Sequence, residues 1–293
     1  MLQLNESATY INNGSNTCTG SWPSMTVELA LLVFILVSSL AGNVLIVAIF
    51  FRDKTLQTAV NYFIVNMCVS DLMLSSFNLP LRIIIKYDDN FLLVDRTPPE
   101  VLCKANSVVY GTTVLVSLFN MTLLAADRFR AIIFPMKPAL FSQKKCCTAI
   151  ATMWIFSTTF LVYYVIDALP ENASYVSCFD LKWTPKKLRF LLIFIALTCL
   201  CMVAVTVCYL KITVFLYRQK NSLQLASEVI KKRAKRNRRI ITMLIIIVIL
   251  FYVVWIPFFV MLLRSFFYLP SLSCVYAWVA SFILPNVYPM IIL

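Results

Sequence analysis

Long runs of apolar residues recur seven times along this chain of 293 residues. Each run can cross the roughly 30 Å hydrocarbon core of a bilayer, which takes about 20 helical residues. The runs are too long, and alternate too weakly, for the strands of a membrane barrel, and lipid offers no hydrogen-bond partner to open backbone. The pattern predicts an all-α bundle of seven transmembrane helices, at 25–51, 59–85, 101–134, 147–169, 188–218, 238–267 and 275–293.

Charge separates the two faces of this predicted bundle. One face receives 17 of the 26 Lys and Arg residues but only three acids, whereas the other receives nine of each. The positive-inside rule makes the basic face cytoplasmic, with the amino end outside and the carboxyl end inside. The run KKRAKRNRR at 231–239 covers the end of a basic third cytoplasmic loop, 219–237, and the first two residues of the sixth predicted span. We favour a role for this run in setting the membrane orientation over a role as a calmodulin-binding or lipid-sensing site. Its position between two spans argues against nucleic-acid binding.

N-glycosylation sequons support the same orientation independently. Acceptor sites begin at Asn5, Asn13 and Asn172, all on the predicted outer face, and a fourth at Asn120 is discounted because it lies within the third span, out of reach of the transferase. No apolar core of a cleavable signal precedes the first span. The chain is therefore expected to consist of an extracellular glycosylated tail, 1–24, and a helical membrane domain, 25–293.

Composition argues against an enzyme. Histidine is missing and glycine occurs four times, so the commonest general base and a Gly-rich phosphate loop are both lacking. The segments outside the membrane are too short for a catalytic domain. Ten cysteines show no metal-cluster spacing, but Cys103 and Cys178 lie on the oxidising outer side and are expected to form a disulfide. For Cys18 and Cys274, a second bridge and two unpaired thiols are both open.

Short motifs occur in order through nearly every predicted helix. They are Gly42-Asn43, NMCVSDL ending at Asp71-Leu72, Cys103, Asp127-Arg128-Phe129 with Pro135, Trp154, Cys178, Tyr209 and the run FYVVWIP ending at Pro257. In these motifs the chain resembles the rhodopsin-like (class A) G-protein-coupled receptors along essentially its whole length. The resemblance implies a multi-pass plasma-membrane receptor, surrounded by membrane lipid, that signals through a heterotrimeric G protein.

The resemblance also implies a conformational switch, with the residues Asp127, Arg128, Tyr209, Phe251, Trp255 and Pro257. Asp127 would hold Arg128 away from the site that a G protein enters. Pro257 removes a backbone donor and should kink the sixth helix, which gives its inner half a pivot. The plainer interpretation treats Asp127 and Arg128 as interfacial charges and the aromatic residues as packing.

Asp71 is an acid near the middle of a span. Such a group is costly unless it pairs, takes a proton or binds a cation. The resemblance implies a sodium ion shared by Asp71 and Ser117, and no other cofactor is expected. A protonated or hydrogen-bonded Asp71 is the alternative.

Counting helical positions from these motifs predicts an aromatic, largely uncharged ligand cavity. Its residues are Tyr110, Val114, Ile193, Leu197, Phe258, Phe259, Leu262, Trp278 and Phe282, with Arg82 at the rim. Amine receptors of this family carry aspartate where this chain has Tyr110, and visual pigments carry lysine where it has Phe282. Both of those ligand classes are thus disfavoured, and Arg82 at the rim could receive a carboxylate unless it is only a snorkelling interface residue. An extracellular peptide is the expected ligand, and an acidic lipid the second choice.

The last predicted helix departs from the family pattern. Tyr288 stands where asparagine is expected before Pro289, and Ile292 stands where the family has its switch tyrosine. The sequence then ends without an amphipathic eighth helix, which leaves open a truncated chain or a divergent receptor. The alternatives to a coupled receptor are a receptor-like protein that binds without coupling and a small transporter or channel.

Overall fold

The computed structural model describes residues 25–87, 99–138, 140–168 and 185–219, and isolated helical positions between 242 and 260. Five long helices run through the first four of these ranges. They are α1 (Met25–Arg52), α2 (Ala59–Tyr87), α3 (Pro99–Ile133), α4 (Gln143–Ala168) and α5 (Pro185–Gln219). All five are long and apolar enough to cross a membrane. The first five predicted spans are confirmed to within about four residues at each end.

The start of α4 shows why the predicted ends differ from the observed ones. The sequence predicted a start at residue 147, where the apolar run begins, but the helix begins at Gln143. Ser142 caps this end: its carbonyl accepts from the Cys146 N–H at 2.9 Å, and its hydroxyl accepts from the Lys145 N–H at 3.5 Å. Capping places two lysines on the first turn, outside the apolar run. A helix can thus begin in water before it enters lipid.

A tight turn joins α1 to α2. Asp53 caps a 3-10 helix, Lys54–Leu56, by accepting from the Thr55 hydroxyl at 2.7 Å and from the Thr55 backbone N–H at 2.9 Å. These two hydrogen bonds, the hydroxyl first, lower the pKa of the exposed Asp53 carboxyl below its ordinary value. The turn sets α1 and α2 side by side.

α3 lies at the centre of the described helices, packed against α2, α4 and α5. Its contact with α4 depends on Gly111, because a Cβ there would lie 2.8 Å from the Cγ of Leu161 and would also clash with a terminal methyl of that leucine. Small residues allow membrane helices to approach closely where no hydrophobic effect drives them together. The outward surfaces remain apolar, as the 68% exposed Leu200 of α5 illustrates.

Hydrogen bonds between amide side chains tie three helices together in the apolar interior. Trp154 of α4 donates its Nε1–H to Oδ1 of Asn66 on α2 at 2.9 Å, and Asn66 donates to Oδ1 of Asn120 on α3 at 3.0 Å. Asn120 then donates to the Phe63 carbonyl at 2.8 Å. This set of side chains, the Asn66 network, is buried except at the tryptophan ring. It fixes the rotation of α2, α3 and α4 about their own axes.

Candidate ligand cavity and coupling site

α3 contributes two of the predicted cavity residues. Val114 is buried, and Tyr110 is half-buried one turn earlier, and both belong to the packed cluster that includes Leu161 of α4. The neighbouring surface is aromatic: Phe190 of α5 stacks on Tyr164 with ring centroids 3.6 Å apart and on Phe160 at 5.0 Å. These stacked rings were not predicted as site residues. Their stacking depends on how α4 and α5 are rotated, which apolar spacing alone does not determine.

On α5, the predicted cavity residues lie beside the packed face. Phe190 and Phe194 make the contact with α3 and α4, whereas Leu197 is half-buried and Ile193 is 44% exposed. Ile193 therefore does not pack in the α3–α4–α5 interior.

Several predicted site residues lie outside the described part of the molecule. The side chains of Arg82 and Cys103 are among them, although both residues lie within helices. So are the partner Cys178, the three sequon asparagines and the remaining cavity and switch positions: Asn5, Asn13, Asn172, Phe251, Trp255, Pro257, Phe258, Phe259, Leu262, Trp278 and Phe282. Their roles stay predictions.

Asp71 and Ser117 are brought to the same buried region between α2 and α3. Asp71 is 1% exposed, and its Oδ2 has no hydrogen-bond partner among the described residues. Ser117 shares a 2.9 Å hydrogen bond with Ser70, the residue next to Asp71. Carboxylate and hydroxyl oxygens are the ligands that a hard cation prefers, so a sodium ion shared by Asp71 and Ser117 stays a prediction.

The ends of α3 and α5 hold the predicted switch residues that the structure describes. Arg128 donates its Nη2–H to Oδ2 of Asp127 at 2.5 Å, and the Asp127 side chain is almost fully buried. Arg128 also lies close enough to Tyr209 of α5 for the two side chains to interact electrostatically. In the described residues the Arg128 Nε has no acceptor. The guanidinium is thus held by its neighbouring carboxylate while part of its donor capacity is unused.

A polar contact joins α5 to the sixth helical segment, and it was not predicted. The Tyr252 hydroxyl lies 2.7 Å from Oγ1 of Thr206 and 3.2 Å from the Met202 carbonyl. Thr206 donates to that same carbonyl at 2.8 Å. Nearby, Ile245 and Val248 pack against the buried cluster that contains Tyr209. The presence of a tyrosine in the apolar run from 241 to 254 indicated a buried hydroxyl that needs a hydrogen-bond partner. The sequence could not identify that partner, because it depends on how the helix is rotated.

A protein-family model described as "7 transmembrane receptor (rhodopsin family)" matches residues 42–290. The match includes the regions of the sixth and seventh predicted spans and so supports seven helices. Proteins of this family are multi-pass plasma-membrane receptors and not enzymes, which agrees with the location and the non-enzymatic function expected from the sequence.

Individual relatives match about half of the chain. The cholecystokinin receptor type A of Canis lupus familiaris is 33% identical over 145 residues, 49% of this chain and 32% of that receptor. The same receptor of Homo sapiens is 32% identical over 145 residues, with the same coverage. Neuropeptide FF receptor 2 of Mus musculus is 32% identical over 124 residues, 42% of this chain and 28% of that receptor. These alignments therefore span about a third of the relatives' own length. Because the family model extends over most of the chain and the described helices carry its motifs in place, the chain belongs to the rhodopsin family of seven-transmembrane receptors.

Proposed function

We propose that this protein is a cell-surface receptor that binds an extracellular peptide and activates a heterotrimeric G protein. G-protein coupling is supported by the ion pair between Arg128 and the buried Asp127 carboxylate, beside Tyr209. The pair occupies the end of α3 that the charge distribution assigns to the cytoplasm, with the amino end of the chain outside. An arginine that is restrained at this face can exist in two arrangements, held by Asp127 or released from it. A G protein that binds the released arrangement would increase its population.

Peptide binding is supported by the predicted cavity residues and by the relatives. Tyr110, Val114 and the stacked rings of Tyr164 and Phe190 form an aromatic and aliphatic cluster in the region predicted for the cavity. Rigid aromatic side chains are the usual anchors in peptide and protein recognition. The names of the relatives, cholecystokinin and neuropeptide FF receptors, point to the same ligand class. An acidic lipid is the second ligand class, since Arg82 at the predicted rim could receive its carboxylate.

Ligand binding would act by shifting the population between two arrangements of the bundle, favouring the one in which Arg128 leaves Asp127. Asp71 and Ser117 would hold a sodium ion, whose charge would neutralise the buried carboxylate. The ion would thereby stabilise whichever arrangement keeps these oxygens together.

The test compares two substitutions at the ion pair in cells with matched surface expression. Asp127→Asn should raise ligand-independent signalling, because it weakens the restraint on Arg128. Arg128→Ala should abolish agonist-driven signalling but leave binding of a peptide hit from a library screen largely intact. If both variants only lower expression, the two charges serve to orient the chain in the membrane and not to switch it. If every variant and the wild type bind peptide without activating any G-protein class, the chain is a non-coupling receptor, as its Tyr288 and Ile292 would suggest.

A further inference from the structure

Threonine side chains in the described helices generally pair their hydroxyls within their own helix. Thr113, Thr122 and Thr198 each donate to the backbone carbonyl four residues earlier, at 3.0, 2.9 and 2.8 Å. The same bond is made by Thr148, Thr152, Thr206 and Thr213. A hydroxyl in an apolar surrounding is thereby satisfied without any partner on another helix.

Two buried hydroxyls depart from this pattern. Thr112 of α3 is 4% exposed and Ser157 of α4 is fully buried. Neither side-chain oxygen has a hydrogen-bond partner among the residues that the structure describes. A buried hydroxyl that lacks a partner loses its hydration without compensation, which is unfavourable. The two groups therefore call for a polar partner other than these side chains.

Thr112 lies on the side of α3 that meets α4. Two contacts mark this side: Gly111 meets the Leu161 side chain, and the rings of Phe119 and Phe156 lie 5.7 Å apart. Thr112 precedes Phe119 by seven residues, which is nearly two full turns of an α-helix. Its side chain therefore leaves α3 in almost the same direction as Phe119.

Ser157 lies on the matching side of α4. The buried residues in the outer half of this helix recur every four positions, at Met153, Ser157, Leu161 and Val165. Ser157 is thus one turn from Leu161 on the same face. Residue numbers rise along α3 and fall along α4 between the two marking contacts, so the helices are antiparallel. Both hydroxyls lie between these contacts, in a region of residues 111–119 and 156–161 that we call the α3–α4 seam.

The partner that fits this seam is small and uncharged. A Cβ on Gly111 would already lie 2.8 Å from the Cγ of Leu161, so a larger molecule would have to separate the helices. No acid or base occurs in residues 111–119 or 156–161, so an ion would lack a counter-charge there. A water molecule both donates and accepts, and buried waters typically make about three hydrogen bonds to otherwise unpaired polar groups.

We propose that the α3–α4 seam binds one water molecule, which bridges Oγ1 of Thr112 and Oγ of Ser157. The water accepts from one hydroxyl and donates to the other. It joins α3 to α4 two residues after Tyr110, the predicted cavity residue. The bridge is independent of the proposed function, because neither agonist nor G protein takes part in it.

A double-substitution cycle tests the bridge through the thermal stability of the purified full chain in phosphatidylcholine nanodiscs. Thr112→Val and Ser157→Ala each remove one hydroxyl with little change of shape. Each single variant leaves the water and the other hydroxyl with a lost bond, and should melt about 2–4 °C below the wild type. The double variant removes the whole bridge and should melt no lower than the single variants.

Thr198→Val is the matched control. It also removes a buried hydroxyl, but one that bonds to the Phe194 carbonyl of its own helix. Its melting temperature should stay within about 1 °C of the wild type.

X-ray radiolysis followed by peptide mass spectrometry tests for the water itself. Radiolysis converts a bound water into a hydroxyl radical, which oxidises the side chains around it. Leu115 and Leu161 are at most 3% exposed, so bulk solvent does not reach them. Both should gain oxygen in the wild type and lose most of that label in the double variant.

Five results would overturn the proposal. Single variants as stable as the wild type, or more stable, would show that the hydroxyls are unpaired, and additive losses would show that each has its own partner. Non-additive losses without label would indicate a direct bond between Thr112 and Ser157. Equal label in the wild type and the double variant would place the water elsewhere, and an equal loss in Thr198→Val would show a general effect of hydroxyl removal. Radiolysis of the wild type needs no substitution, so the absence of label there refutes the bridge even if the variants fold poorly.

Discussion

The hydrogen bond between Tyr252 and Thr206 should restrain movement of the sixth helix against α5. Tyr252 lies on the inner side of Pro257, the predicted pivot, and its hydroxyl reaches Thr206 at 2.7 Å. If the inner half of the sixth helix swings when the receptor activates, this contact is lost. Tyr252→Phe removes the hydroxyl while keeping the ring, and is expected to raise ligand-independent signalling.

The expected rise in ligand-independent signalling can be estimated from the hydrogen bonds that the Tyr252 and Thr206 hydroxyls make. Hydrogen bonds between membrane helices contribute about 0.6 kcal/mol on average and about 1.7 kcal/mol at most. These values correspond to about threefold and about twentyfold in the equilibrium between the two arrangements. Thr206 still donates to the Met202 carbonyl at 2.8 Å when the tyrosine hydroxyl is gone, so no buried donor is orphaned. We therefore expect about threefold.

A double-mutant cycle in cells with matched surface expression provides the assay. Thr206→Val removes the bond to Thr206 and leaves the Tyr252 contact with the Met202 carbonyl, whereas Tyr252→Phe removes both, so the double variant should signal no more than Tyr252→Phe alone. Thr213→Val is the matched control, because Thr213 donates to the Tyr209 carbonyl at 2.8 Å in the same way but has no described partner on the sixth helix. Additive effects in the double variant, or an equal rise in the control, would refute the reasoning.

Three further predictions concern topology, packing and pH. Glycosidase should reduce the mass of the expressed protein, and replacing Asn5 and Asn13 with Gln should shrink that shift; cytoplasmic exposure of an amino-terminal tag in intact cells would contradict the orientation. Gly111→Val should lower thermal stability in detergent by about 1–3 kcal/mol through overpacking, and Leu161→Ala should partly restore it in the double variant, whereas additive losses would disprove the close contact. Because the pKa of Asp53 is lowered in the folded state, its contribution to stability is present above the ordinary aspartate pKa and is lost as the pH falls through the lowered value. Asp53→Asn should therefore reduce the dependence of the melting temperature on acid pH. An unchanged dependence would show that the cap does not contribute to stability.

Apolar run length was enough to predict the helices, but not their partners. A stretch of about 20 apolar residues has one stable solution in lipid, so the first five spans could be placed to within a turn. The ends differ where a cap such as Ser142 extends a helix into water. The resemblance to a family supplied the register for Asp127, Arg128 and Asp71, whose surroundings the structure then described.

Interhelical contacts escaped prediction because they depend on how each helix is rotated. Asn66, Asn120 and Trp154 are far apart in sequence, and an asparagine in an apolar run does not reveal which neighbour satisfies it. The Tyr252–Thr206 contact was missed for the same reason. A single sequence contains the donors and acceptors but not the pairing.

The Asn66 network also constrains how the chain is made. The helices emerge in order, so Asn66 and Asn120 enter the bilayer while Trp154 is still unsynthesised or within the ribosome. Until α4 arrives, the Asn66 Oδ1 lacks the indole donor that it has in the finished bundle, and such an amide in hydrocarbon is unfavourable. α2 and α3 should therefore be retained by the insertion machinery until α4 completes the network. A nascent chain stopped before residue 143 is then expected to be held or degraded, and one stopped after residue 168 to be released into the bilayer as an assembly of the four helices α1 to α4.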